Sequence, residues 1–167
     1  MTLTDCEVRI VKDYEETILQ LVAYELWANF KLLDFIEGLS VEERNRDFGF
    51  GLRTPHKTIV HIAKVMQGWS GCVGTVIQEP SWDNYDQPAS LSDVRTIFES
   101  VAQTLPVAAK AAHRERLLGE QRRLNHVFHI VTHGTHHRGQ LLSMITLMGY
   151  DQPFEGGDFG GWSKENL

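Results

Sequence analysis

Five of the eight histidines in this 167-residue chain fall within twelve consecutive positions. They are His126, His129, His133, His136 and His137, in the stretch 126–140, HVFHIVTHGTHHRGQ. A neutral imidazole offers one ring-nitrogen lone pair, so the chemistry such a cluster suits is the binding of a divalent metal. His133 and His137 are four apart, no proline separates them, and the apolar run LLSMITLM follows. In a helix four residues make about 400° of rotation, which puts the two rings ~40° apart on one face and one turn apart. The paired histidines of an H-E-x-x-H helix bind one ion with this geometry. Two imidazoles do not hold an ion firmly, so a third ligand is required from elsewhere in the chain.

Steps of three and four from His133 and His137 reach Leu141, Met144, Ile145 and Met148. The pair therefore shares the stripe expected to enter a core. His136 lies roughly 100° round from His137 and is expected to point elsewhere. His129, one turn before His133, extends the ladder, while His126 is expected to fray towards solvent. Against the metal stands a plainer reading, in which core hydrogen bonds or water satisfy these rings. A second histidine, His61, shares a predicted face with Val65, Trp69 and Cys72; taken alone it reads more readily as a hydrogen-bonded core histidine. Cys72 lies about 16 Å further along the same straight helix and cannot join His61 on one ion. His56, in the first turn, is expected to be solvated or locally bonded.

Four long amphipathic segments must position these residues. Tyr14, Ile18, Leu21, Val22, Leu26, Phe30, Leu33 and Ile36 or Glu37 recur at threes and fours over residues 13–37, with Gly38 as a stop. Ser40 and Glu43 have capping-box spacing before a short helical piece. Residues 47–53, DFGFGLR, have two glycines and no period, and read as loop. Thr54-Pro55 opens the second long helix with a capping hydroxyl and a proline at its first position. A long loop with two prolines over residues 79–89 can cross from one end of a bundle to the other. Ser90, with Asp93 three later, caps the third long helix, which Pro106 should kink or break. Residues 114–121 form a polar connection, residues 121–148 the histidine helix, and Gly149 its end. The tail, DQPFEGGDFGGWSKENL, reads as irregular, with Phe154, Phe159 and Trp162 available to pack back. This is the pattern of an all-α four-helix bundle in a single domain over residues 1–167.

Composition narrows the function classes. The net charge is −6, and no Lys/Arg cluster forms a stripe that could track phosphates, so nucleic acid is not an expected partner. Cys6 and Cys72 are far apart and in no C-x-x-C arrangement, which indicates neither a disulfide framework nor a zinc ribbon. No apolar run reaches membrane-spanning length and no signal pattern opens the chain; a cytoplasmic protein without a membrane partner is expected.

The order Tyr24-x-x-Trp27-Ala28-Asn29, then Thr54-Pro-His56-Lys-Thr58-Ile-Val-His61-Ile62, then His133-Gly-Thr-His-His137-Arg-Gly-Gln140 resembles the DinB-like family of damage-inducible metal-binding proteins. The likeness runs from the first long helix to Tyr150, and the third motif is the most specific. It implies a four-helix bundle with a long crossover between the second and third helices. It also implies a divalent metal held by three histidines, one on the second helix and two on the fourth. Carried onto this chain, these are His61, His133 and His137, the histidines already placed on core-facing stripes. One departure is visible: family members often carry an acidic residue a little over one turn after the second-helix histidine, where this chain reads Lys64-Val65-Met66-Gln67. The relatives include thiol-dependent transferases and isomerases, and a homodimer would suit the family's habit.

Three expectations follow for function. In the first, the protein is an enzyme whose three histidines leave a coordination position for water or a small-molecule substrate. Its reaction would be thiol transfer, with a thiol cofactor, or metal-assisted hydrolysis; His129 is the candidate base, or else a hydrogen-bonding support. In the second, the protein is a non-catalytic metal-dependent stress-response or binding protein. In the third, it is a structural bundle with satisfied histidines. Three imidazoles suit zinc, nickel, iron or copper, and the sequence does not choose among them.

Overall fold

The computed structural model describes residues 5–74, 89–116, 122–153 and 159–166. Helix α1 spans Asp5–Gly38, starting at Asp5 rather than at Asp13. Helix α2, Val41–Asn45, is set by the expected capping box: Ser40 Oγ accepts the Glu43 N–H at 3.2 Å, and the Glu43 carboxylate accepts the Ser40 N–H at 2.9 Å. Helix α3, Pro55–Gly74, begins where Thr54 Oγ1 accepts the Lys57 N–H at 3.1 Å. Helix α4, Leu91–Arg116, begins where Ser90 and Asp93 exchange bonds of 3.1 and 2.8 Å. The histidine helix, α5, is Arg122–Leu147, and Gly149 leaves it in the left-handed region with φ 87°. A last helix, α6, covers Phe159–Asn166.

The four long helices α1, α3, α4 and α5 make the bundle. α3 lies between α4 and α5, α4 also packs on α1, and α5 closes against α1. The core is the set of inward stripes: Val22, Leu32, Leu33 and Ile36 from α1, Ile59 and Ile62 from α3, Phe98 and Leu105 from α4, Leu141, Met144 and Ile145 from α5. Burial of these stripes, more than intrinsic propensity, is what holds such helices. In the α1 stripe Ile36 takes the core position and Glu37 stays outside, while Tyr14 is 56% exposed. Among the described residues no helix is long and apolar enough to cross a membrane.

Two expectations are corrected. α4 runs through Pro106 without breaking. The proline forfeits one backbone hydrogen bond, but Val101, Leu105, Ala109 and Ala112 on both sides of it are buried, and their packing carries the helix across. The tail is not irregular throughout, because α6 forms despite Gly160 and Gly161. Phe159 and Trp162, three apart, come onto one helical face and both meet Tyr24 of α1, with ring centroids 5.7 and 6.1 Å away. That aromatic burial offsets the poor helix propensity of the two glycines. Residues 79–88 of the expected crossover, and Phe154, lie outside the described residues.

Candidate metal centre

α3 and α5 face each other, and across their seam His61 meets the pair His133 and His137. One ring nitrogen from each of the three lies within 4.8 Å of the others. The closest approach is His61 Nε2 to His133 Nε2, 3.1 Å. The ring centroids are 4.9 Å apart for His61 and His133, and 4.4 Å for each of the other two pairs. Metal–nitrogen bonds of ~2.0–2.1 Å place neighbouring nitrogens about 3.4 Å apart around a tetrahedral ion, so the cluster needs only small adjustments to accept one.

The electrostatics favour lone pairs over protons. Burial, then the neighbouring His137, lowers the His61 imidazole to about 4. Burial, then His137, His61 and the other neighbouring histidines, lowers His133 to about 3. Burial also lowers His137, against an opposing hydrogen bond to Gln140. At neutral pH these rings are uncharged and hold nitrogen lone pairs within a few ångströms of one another. The donor set fits a divalent metal.

The other histidines separate from this group. His136 is exposed and turns away, although its ring stays 4.8 Å from that of His137. His129 is exposed, 5.5 Å from His133 between ring centroids, with Trp69 of α3 4.8 Å away. His126 does not fray towards solvent: it is half-buried and packs on Trp69 at 4.9 Å, because the start of α5 still lies against α3. His56 is neither solvated nor bonded locally: it is half-buried and meets the backbone of Ala89, which is distant in sequence. Cys72 is a buried free thiol and is not in the group; the side chain of Cys6 lies outside the described residues.

Two sets of residues that sequence reasoning left unassigned hold the centre in place. On the α1 side of α5, Arg138 is buried and its Nη1 donates to Glu25 at 2.6 Å and to Asn29 at 3.2 Å. Asn29 Nδ2 donates to the second Glu25 oxygen at 3.0 Å, and Arg138 Nη2 to Thr135 Oγ1 at 3.0 Å. Burial pushes the Glu25 carboxyl above its ordinary range, while Arg138 and Asn29 pull it down. Gly134 is required here, since a Cβ would overlap the Glu25 carboxylate. The signal was available: Glu25 and Asn29 are polar residues four apart among the apolar positions of α1. On the α3 side, His137 Nδ1 lies 3.0 Å from Gln140 Oε1, and Gln140 Nε2 lies 3.0 Å from His136 Nε2.

The class that the fold and site define is a helical bundle in which three histidines that could hold a metal ion converge between two helices. Its family is shown directly: the DinB family model matches residues 12–157, and the chain belongs to that family. No curated protein matches the chain.

Proposed function

We propose that this protein is a metal-dependent enzyme of the thiol-transferase or hydrolase type, with one divalent ion held by His61, His133 and His137. The observation that carries the reading is the approach of three uncharged imidazoles to within 4.8 Å between their ligand atoms. A divalent ion held by these three histidines would supply Lewis acidity, lowering the pKa of a bound water or thiol. The protein's own part is to hold three lone pairs in register between two packed helices. The three rings are half-buried, which leaves them a solvent side where a small substrate can approach. His129, exposed and one turn before His133, is the candidate base. Zinc, nickel and iron are the ions to test, and a thiol is the co-substrate to try first.

The experiment is elemental analysis of protein purified without an affinity tag, followed by thiol-transfer and ester-hydrolysis assays before and after chelation. The reading expects about one divalent ion per chain, and turnover that chelation removes and metal restores. Stoichiometric metal with no turnover across the panel would favour a non-catalytic metal-binding protein instead.

A further inference from the structure

We propose that Gln140 is a positioning residue of the histidine centre: its side-chain amide selects the His137 tautomer that leaves Nε2 with the lone pair, and His136 and Gly51 hold that amide in place. The inference rests on the metal reading for its purpose but is tested separately from it.

A neutral imidazole carries one proton, and only the other nitrogen can bind an ion. Which nitrogen is protonated is decided by the hydrogen bond each makes. Gln140 Oε1 can only accept, so its 3.0 Å contact requires the proton of His137 on Nδ1. Gln140 Nε2 can only donate, so its 3.0 Å contact requires His136 Nε2 to be unprotonated. One amide thus fixes both tautomers, and gives His136 a role without making it a ligand.

The amide has a wall behind it. Gly51 has φ 53°, and a Cβ built there would lie 2.6 Å from Gln140 Oε1 and 2.8 Å from its Cδ. Its loop is closed on itself. The Phe48 N–H donates to the Arg53 carbonyl at 2.8 Å, and Arg53 Nη2 pairs with Asp47 at 2.6 Å. Gly49 and Arg53 also have positive φ, 75° and 74°. A loop so constrained is slow to yield, so a methyl group at position 51 displaces the amide. The segment between α2 and α3, which carries no histidine, therefore reaches the centre through Gln140.

The test compares wild type, Gln140→Leu, Gln140→Glu and Gly51→Ala, each without metal and then titrated with zinc against a competing chelator. Nitrogen-15 NMR of the metal-free imidazoles reads the tautomers directly. Wild type and Gln140→Glu should show His137 protonated at Nδ1, since a carboxylate also accepts there, and should bind zinc within a few-fold of each other. Gln140→Leu should show a tautomer mixture and bind zinc about 10–100-fold more weakly, and Gly51→Ala should shift both readouts the same way. An unchanged His137 tautomer and zinc affinity in Gln140→Leu would overturn the role of Gln140. A change in Gln140→Leu without one in Gly51→Ala would overturn that of the loop. If wild type binds no zinc, the metal reading fails while the tautomer comparison still decides this one.

Discussion

On its α1 side, helix α5 presents Arg138 to Glu25, Asn29 and Thr135; on its α3 side it presents His133 and His137 to His61. Both assemblies are polar and both sit between helices, yet they are built on opposite rules. The arginine assembly is closed. The side chains of Arg138 and Glu25 are 3% and 1% exposed, and donors are matched to acceptors at 2.6–3.2 Å. The histidine assembly is open: its rings are half-buried and uncharged, and their bonds run from His61 to His133 at 3.1 Å and from His137 to Gln140 at 3.0 Å. A buried polar group that satisfies itself fixes a helix in place. Three half-buried histidines that could hold one ion, set along a helix seam, keep a side open to solvent instead. The two are coupled through the chain, because Gly134 and Arg138 follow directly on His133 and His137.

The largest expected effect comes from breaking the closed assembly. Arg138→Leu leaves the Glu25 carboxylate buried without its cation, with the Asn29 amide still donating to it, and should cost about 3–5 kcal/mol in urea unfolding. Replacing both partners, as in Glu25→Leu with Arg138→Met, should cost less than the Arg138→Leu change alone. If the single change were mild, the network would not be the clamp described here.

The open assembly should behave in the opposite way. His133→Ala should alter the stability of the metal-free protein by no more than about 1 kcal/mol. Its larger effect is on linkage. Zinc at a hundred times its Kd should stabilise the wild type by about 2.7 kcal/mol, raising its melting temperature, and this gain should vanish in the variant.

Acid sharpens the contrast further. An unfolded histidine titrates near 6.5, whereas His61 and His133 in the fold titrate at about 4 and about 3. Between those limits the unfolded chain binds more protons, so the stability of the metal-free protein falls as pH drops from ~6.5 towards these folded values. His133→Ala, which removes one such group, should flatten that fall. At His61 and His133 protons compete with metal only near these folded values, so bound zinc should be lost at a pH below the ordinary histidine range. Loss of zinc centred on pH 6–6.5 would be the behaviour of exposed surface histidines.

The smallest expected effect is none at all: Cys72→Ser should leave metal content unchanged, since this thiol is buried outside the cluster. Loss of metal from a folded Cys72→Ser protein would put the thiol at the centre after all.

Much of this molecule was legible before its structure. The 3.6-residue period exposed the four long helices, and the caps at Ser40, Thr54 and Ser90 marked where α2, α3 and α4 begin. His61, His133 and His137 stood on the faces that the helical period turns inward, and the fold brings those three together. What escaped depends on contacts distant in sequence. α6 forms because Phe159 and Trp162 find Tyr24, and nothing local announces that. α4 passes Pro106 because its neighbours are buried on both sides. The Glu25–Arg138 pair spans 113 positions, and Gln140 could be assigned only once Gly51 was seen against its amide.

The central claim is that three histidines, and not the whole histidine-rich stretch, hold one divalent ion. Calorimetric titration of zinc into untagged protein at neutral pH tests it most directly, in wild type and in the His61→Ala, His133→Ala and His136→Ala variants. The account predicts one ion per chain in wild type and His136→Ala, with the latter weakened only through Gln140, and no stoichiometric site in the other two. Equal zinc content in all four proteins would contradict it.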